Sequence, residues 1–271
     1  MFTQPTATAA VAAAPPAVHP AEDATRRTLT DLITQAAANT PRSRQKRIGP
    51  SEVGHPCPRH IAYKWLNMPA ANSGGDPWPS IVGTAAHAWI ADALEAHNQQ
   101  LGRTRWLVEQ RVQVTGYLAG SCDAYDLDTN TVIDHKVVGP TMLAKYKAQG
   151  VREQYRIQAH LYGQGWANAG HTPRRVQLVF YHRNGRLDDM WVWGEDYSPT
   201  IAQRAVERLE RIYDLANQLR VDEHPAHWAH IPATPGDDCR YCPWWLPAST
   251  NLARGCPGTV TNPTQIGHPA T

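Results

Sequence analysis

Residues 118–138 read LAGSCDAYDLDTNTVIDHKVV, and the fold turns on how this stretch pairs with itself. Two short runs of strand-compatible residues flank Asp128-Thr129-Asn130-Thr131, where Asp and Asn side chains bond their own backbone and tolerate unusual dihedrals. The stretch is therefore expected to form two strands joined by a polar turn. A turn symmetric about Thr129-Asn130 sets Asp123 opposite Lys136 and Tyr125 opposite Asp134. Opposed residues in a hairpin share a face, and side chains alternate along each strand. This register gathers Asp123, Asp134 and Lys136 on one side and sends Asp126 and His135 to the other. Two carboxylates and an ammonium on one sheet face suit a divalent cation and a phosphoester. A slip of one residue would scatter them.

The rest of the chain bounds what such a hairpin can belong to. At 271 residues, 42% of them hydrophobic, the chain can bury one large core or two small ones. The formal net charge of +2 marks no strongly basic protein, so any surface for nucleic acid must be local. Arginines number 21 against 5 lysines. Arg is the better residue for bidentate phosphate contacts, although a GC-rich genome gives the same bias. No window of 18 apolar residues exists, so no transmembrane helix is expected. The Ala/Pro-rich start lacks the basic and apolar regions of a secretory signal. Five cysteines, an odd number, then favour metal ligation or free thiols over disulfides in an intracellular protein.

Residues 1–22 are expected to be a disordered Ala/Pro-rich tail. Residues 23–47 read as a helix, with Leu29, Leu32 and Ile33 on one face, followed by a basic linker carrying Arg42, Arg44, Lys46 and Arg47. Residues 48–256 read as a single domain and 257–271 as a second disordered tail. Within the domain, Ser51 reads as an N-cap before a short helix bearing Cys57. A helix over residues 81–97 carries an apolar stripe of Val82, Ala86, Trp89, Ile90, Ala93 and Leu94, with His87 beside it. Residues 106–114 alternate as a strand, and the hairpin follows. Two helices (141–148 and 152–169), two strands (174–182 and 190–195, around the turn Asn184-Gly185) and an amphipathic helix (199–219) complete the order. An α/β or α+β core of four or five strands is expected.

Three groups of residues carry chemistry. Asp123, Asp134 and Lys136 with His87 offer the oxygen ligands that Mg²⁺ or Mn²⁺ prefers, with an imidazole acceptable to Mn²⁺. Gln158 and Tyr162 stand one helical turn apart on one face, suited to orienting a phosphate or packing at a helix–sheet boundary. Cys239 and Cys242 form a CxxC pair. With Cys57 and Cys256 they make up a tetrathiolate for Zn²⁺ or an iron–sulfur cluster. Cys122, mid-strand, reads as a small buried hydrophobe.

Taken in order, these elements resemble the RecB-like nucleases of the PD-(D/E)XK superfamily, and especially the four-cysteine exonucleases associated with CRISPR systems and their phage-encoded relatives. The elements are SEVGHPCPR around Cys57, GTAAH ending at His87, GSCD ending at Asp123, IDHK over Asp134–Lys136, QAHLY over Gln158–Tyr162, and CRYC with Cys256. The resemblance spans about residues 48–256. It implies a PD-(D/E)XK restriction-endonuclease-like core, a central mixed sheet flanked by helices. It also implies a Mg²⁺ or Mn²⁺ site at His87, Asp123 and Asp134, a catalytic Lys136, and Gln158 with Tyr162 as a downstream motif. Cys57, Cys239, Cys242 and Cys256 would hold a [4Fe–4S] cluster joining the N- and C-terminal segments, with Zn²⁺ the alternative. The thirteen residues between Cys242 and Cys256 are more than the family pattern leads one to expect.

The activity implied is exonucleolytic hydrolysis of single-stranded DNA or duplex ends, in recombination, repair or phage DNA metabolism. The setting would be the cytoplasm of a bacterial cell or phage-infected host, with recombination or helicase proteins as partners and no membrane. Arg152, Arg156, Arg174 and Arg175 are candidates to line the DNA path. The rival reading is a non-catalytic nucleic-acid-binding or recombination accessory protein, which would usually lack the complete Asp/Asp-x-Lys set.

Overall fold

The computed structural model describes residues 19–40, 47–72 and 75–258. It forms two compact units, Met1–Arg44 and Gln45–Thr271. Most of both expected tails, and the linker cations Arg42, Arg44 and Lys46, lie outside the described residues. In the first unit the described element is α1 (Pro20–Ala38), so residues 20–22 form a helical turn where a tail was expected. Pro20 sits at N1, where a missing N–H costs nothing. The His19 side chain accepts from the Ala21 amide at 3.2 Å, and Glu22 accepts from the His19 amide at 3.4 Å.

The second unit runs α2 (Pro50–Val53), α3 (Pro58–Trp65), α4 (Trp78–Leu101), β1 (Trp106–Gln113), β2 (Ala119–Asp126), β3 (Thr131–Val138), α5 (Pro140–Gln149), α6 (Glu153–Asn168), β4 (Arg175–His182), β5 (Trp191–Asp196) and α7 (Pro199–Gln218). The short helix expected after Ser51 is two helices. Gly49, not Ser51, caps α2, and Cys57 occupies the N-cap of α3. The five strands make one mixed sheet in the order β1-β2-β3-β4-β5. Every neighbouring pair is antiparallel except β3 with β4. A parallel pair needs a crossover connection, and α5 with α6 supplies it. The fold is thus the α+β architecture expected from the sequence, with five strands.

Helix α6 is central. Its Ala159, Tyr162 and Trp166 pack on the sheet with Val112, Val132, Val176, Leu178 and Phe180. Its Leu161 turns to a second cluster with Ile61 and Tyr63 of α3, Leu209 and Ile212 of α7, and Trp228. Apolar layers on both sides explain why Gln158 and His160 are buried although polar. The packing is close enough to need glycine. A Cβ on Gly165 would lie 2.6 Å from Val112 Cγ2 and 2.8 Å from Val112 Cβ. Ala is the better helix former by roughly 1 kcal/mol, but overpacking costs about 1–3 kcal/mol. Gly165→Ala should therefore lower stability by about 1–2 kcal/mol net in urea unfolding.

Helix α7 buries Ala202, Ala205, Leu209, Ile212 and Ala216, one stripe at helical spacing. Helix α4 does not behave this way. None of its residues is buried, and Trp89, expected in its apolar stripe, is 72% exposed. Its role is to flank the sheet opposite α6 and present His87. Among the described residues no helix is long and apolar enough to cross a membrane.

Candidate active site

The hairpin is present, in a register different from the symmetric one. Tyr125 pairs with Val132, and Asp126 with Thr131. Relative to the expected Tyr125–Asp134 pairing, β3 has moved by two residues. An even shift keeps every side chain on its face. The turn is pinned by Asp126, which is buried. It accepts from Arg105 Nε at 3.0 Å, the Asp128 amide at 3.0 Å and Thr129 Oγ1 at 2.9 Å. Asn130 takes a left-handed φ of 54°, a conformation Asn tolerates better than most residues.

The ladder between β2 and β3 ends at Ala124 and Ile133. Beyond it β2 pairs only with β1, and β3 only with β4, so the sheet forks. Asp123 and Asp134 are the first residues past the last rung, one on each lip. The His135 amide, released from the ladder, donates to Asp123 Oδ2 at 2.6 Å.

The carboxylates do not lie on one sheet face, contrary to the expectation. Asp134 and Lys136 turn toward α6. Gln158 Nε2 donates to Asp134 Oδ1 at 2.9 Å, and Lys136 Nζ donates to Gln158 Oε1 at 3.1 Å. Lys136 also forms an ion pair with Asp134 Oδ2, and its ammonium stands 4.8 Å from the centre of the Tyr155 ring. Asp123 instead reaches toward α4, with Oδ2 3.5 Å from His87 Nδ1.

The physical cause is a break in alternation. Leu107 and Val112 of β1 both join the layer beneath α6, as do Cys122 and Tyr125 of β2. These pairs are separated by odd numbers of positions, which a regular strand cannot allow. The alternation slips between Val108 and Gln110, where Glu109 has φ 49°, and across from it at Asp123. Cys122 is fully buried in that layer, as expected of a small hydrophobe. His135, on the other face of β3 from Asp134, is also buried, at 6% exposed. Its ring lies 6.0 Å from that of His87, and its Nδ1 is 3.3 Å from Tyr181 Oη.

The electrostatics of the fork are those of a site short of positive charge. Burial, then the Asp123 carboxylate, push Asp134 up to about 6 against the pull of Lys136. The hydrogen bond with Asp123 raises His87. Asp134 Oδ2 is buried without a hydrogen bond, and Lys136 is its charged neighbour. The ligand atoms of His87, Glu109 and Asp123 lie within 4.8 Å of one another. Two carboxylates and an imidazole, beside a buried carboxylate, fit a Mn²⁺- or Mg²⁺-class ion. Tyr162, one turn from Gln158, is buried and its phenol is raised by burial.

Glu109 was not singled out from the sequence. The strand WLVEQRVQV carried no signal for it, since Trp106, Val108, Val112 and Val114 keep one parity across Glu109.

The four cysteines Cys57, Cys239, Cys242 and Cys256 line one cavity of about 140 Å³. Burial pushes Cys242 up to about 11, reinforced by Cys57, Cys256 and Cys239. The spacing of thirteen residues from Cys242 is closed by local pairing, with the Cys256 amide donating to Trp244 O at 2.7 Å. Two polar side chains missed in the sequence sit against the sulfurs. Arg59 Nη1 lies 3.6 Å from Cys256 Sγ, and His60 Nδ1 3.3 Å from Cys242 Sγ.

Of the four arginines expected along a DNA path, three are paired. Arg152 meets Asp238 at 3.1 Å, Arg156 meets Glu195 at 2.5 Å and Arg175 meets Asp196 at 2.7 Å. Arg174 is exposed.

The fold and site together define a mixed α+β protein whose sheet forks between two carboxylates served by a lysine, a glutamine and a histidine. No protein-family model matches the chain, and no curated protein matches it. Solved structures do. The alkaline exonuclease LHK-Exo from Laribacter hongkongensis is 13% identical with a TM-score of 0.45, covering 68% of this chain and 95% of its own. The structure of SSO0001 is 16% identical with a TM-score of 0.46, covering 88% of this chain and 98% of its own. A phage-related exonuclease from Haemophilus somnus 129PT is 14% identical with a TM-score of 0.36, covering 49% of this chain and 69% of its own.

Proposed function

We propose that this chain is a metal-dependent exonuclease hydrolysing phosphodiester bonds of single-stranded DNA or duplex ends. The observation that carries the reading is the fork, where Asp134, Lys136 and Gln158 form one bonded network and Asp123 with His87 stands across the gap. Structural ion pairs are usually content with each other. Here a buried carboxylate faces a second carboxylate, and its raised pKa marks an environment that favours an added cation.

A bound Mg²⁺ or Mn²⁺ would polarise a phosphoryl oxygen and acidify a water at neutral pH. His87, Asp123 and Asp134 are the residues assigned to hold it. Lys136 is the one cation in the bonded network, placed to offset charge developing on the phosphate. Gln158 fixes both Asp134 and Lys136 through its two amide atoms, so neither needs to reorient during the reaction. Tyr155 supports the lysine through its ring face. Tyr162 packs one turn away as part of the same helix face.

DNA would run past the fork along basic side chains, with Arg174 exposed and Arg152, Arg156 and Arg175 exchanging carboxylate partners for phosphates. Binding by such a surface is salt-sensitive. The cysteine cavity is assigned to a [4Fe–4S] cluster, with Zn²⁺ the alternative, because four thiols from separate segments line it. That group would be structural, since phosphodiester hydrolysis transfers no electrons. A cytoplasmic setting with recombination or helicase partners goes with this assignment.

The test is a time course on 5′- and 3′-labelled single-stranded and duplex DNA with Mn²⁺, with Mg²⁺ and with EDTA. Metal-dependent release of short products from one end is expected. Intact DNA under every condition, from protein shown to be folded, would refute the reading.

A further inference from the structure

We propose that Glu109 is a further protein ligand of the divalent ion assigned to His87, Asp123 and Asp134. The inference rests on the metal-dependent reading above for the identity of the ion and adds to it a residue that the Asp/Asp-x-Lys pattern does not contain. Three elements supply the group, His87 from α4, Glu109 from β1 and Asp123 from β2, and their ligand atoms lie within 4.8 Å of one another. Glu109 sits across β1–β2 from Asp123, between the rungs Val108–Ala124 and Gln110–Cys122.

The strand bends to put it there. With φ at 49°, Glu109 takes a conformation that β-strand residues avoid and glycine would suit. The same bend reverses the alternation of β1, so that Leu107 and Val112 can both stay in the apolar layer. Asp134, 1% exposed, adds a buried carboxylate at the same fork, its Oδ2 ion-paired with Lys136. Lys136 and Gln158 already hold Asp134 from the α6 side. Glu109 therefore completes an oxygen-rich set on the α4 side, where otherwise one imidazole and one carboxylate would face the ion. Such a set, two carboxylates and one neutral imidazole, suits Mn²⁺ well.

The experiment titrates Mn²⁺ into the full-length, metal-free protein by calorimetry, with the free Mn²⁺ electron-spin signal as a second readout. The variants are Glu109→Gln, Glu109→Gly and Asp123→Asn. The expected result is one site in the unaltered protein, weakened at least about tenfold in all three, since even outer-shell changes cost ten- to a hundredfold. Glu109→Gly should also melt no lower than the unaltered protein, because glycine fits the left-handed backbone. That separates a lost ligand from a lost fold. If both Glu109 variants bind Mn²⁺ as the unaltered protein does while Asp123→Asn does not, the assignment of Glu109 is overturned and the nuclease reading stands. If the unaltered protein neither binds Mn²⁺ nor cleaves DNA, both are overturned.

Discussion

Asp134→Asn is expected to reduce metal-dependent cleavage by about 10³-fold or more while making the metal-free protein more stable. The two effects share one cause. Asp134 is buried, and its carboxyl is pushed to about 6 by burial and by Asp123. An acid whose pKa rises on folding costs stability wherever it must be ionised, here above about pH 6. A shift of about two units corresponds to at most about 3 kcal/mol, hence a rise in Tm of about 5 °C at pH 8. The advantage should shrink as pH falls through 6 toward 4, where the carboxyl is protonated whether the chain is folded or not. Melting curves of both proteins in EDTA at pH 8 and pH 5 check this. A variant less stable at pH 8 would mean that the Lys136 ion pair outweighs the burial of charge.

Cys242→Ser carries the second large effect. Cys242 lines the cavity that also receives Cys57 from the start of α3 and Cys256 from beyond α7. A group bound there joins segments almost two hundred residues apart in sequence. Metal–thiolate sites contribute on the order of 10–16 kcal/mol in small zinc domains, against a usual net stability of about 5–15 kcal/mol. Protein purified without oxygen should be brown and carry about four irons per chain. Cys242→Ser should lose the colour and iron and melt at least about 10 °C lower, or fail to stay soluble. Cys122→Ser is the control. Its thiol is buried under α6, away from the cavity, so iron should be retained. Colourless protein with one zinc per chain would replace the cluster by a zinc site.

Much of this architecture was legible in the chain. The strands and helices around 118–138 followed from turn chemistry and periodicity, because Asp128-Thr129-Asn130 is a turn in any register and the flanking runs suit strands. The register itself was not legible. Arg105 anchors Asp126 from a distant loop, and no rule of turn symmetry contains that contact. The wrong register was forgiving, because a shift of two preserves faces. What defeated the face argument was Glu109, whose left-handed backbone reverses alternation in β1 and across from it at Asp123. Helix α4 misled for another reason. Its stripe of Val82, Trp89 and Ala93 has the spacing of a buried face, yet among the described residues Trp89 stays 72% exposed. Grouping Cys57 with the CxxC was an inference rather than a spacing rule, since 181 intervening residues carry no geometry. The cavity supplies that geometry, together with Arg59 and His60 beside the sulfurs.

The most direct test of the central claim compares the unaltered protein with Lys136→Met on end-labelled DNA in the presence of Mn²⁺. Met keeps the apolar stem against Tyr155 and removes only the ammonium. The expected result is loss of nucleotides from a DNA end by the unaltered protein, and cleavage at least about 10²-fold slower in Lys136→Met with Mn²⁺ binding retained. Equal cleavage by both proteins would contradict it.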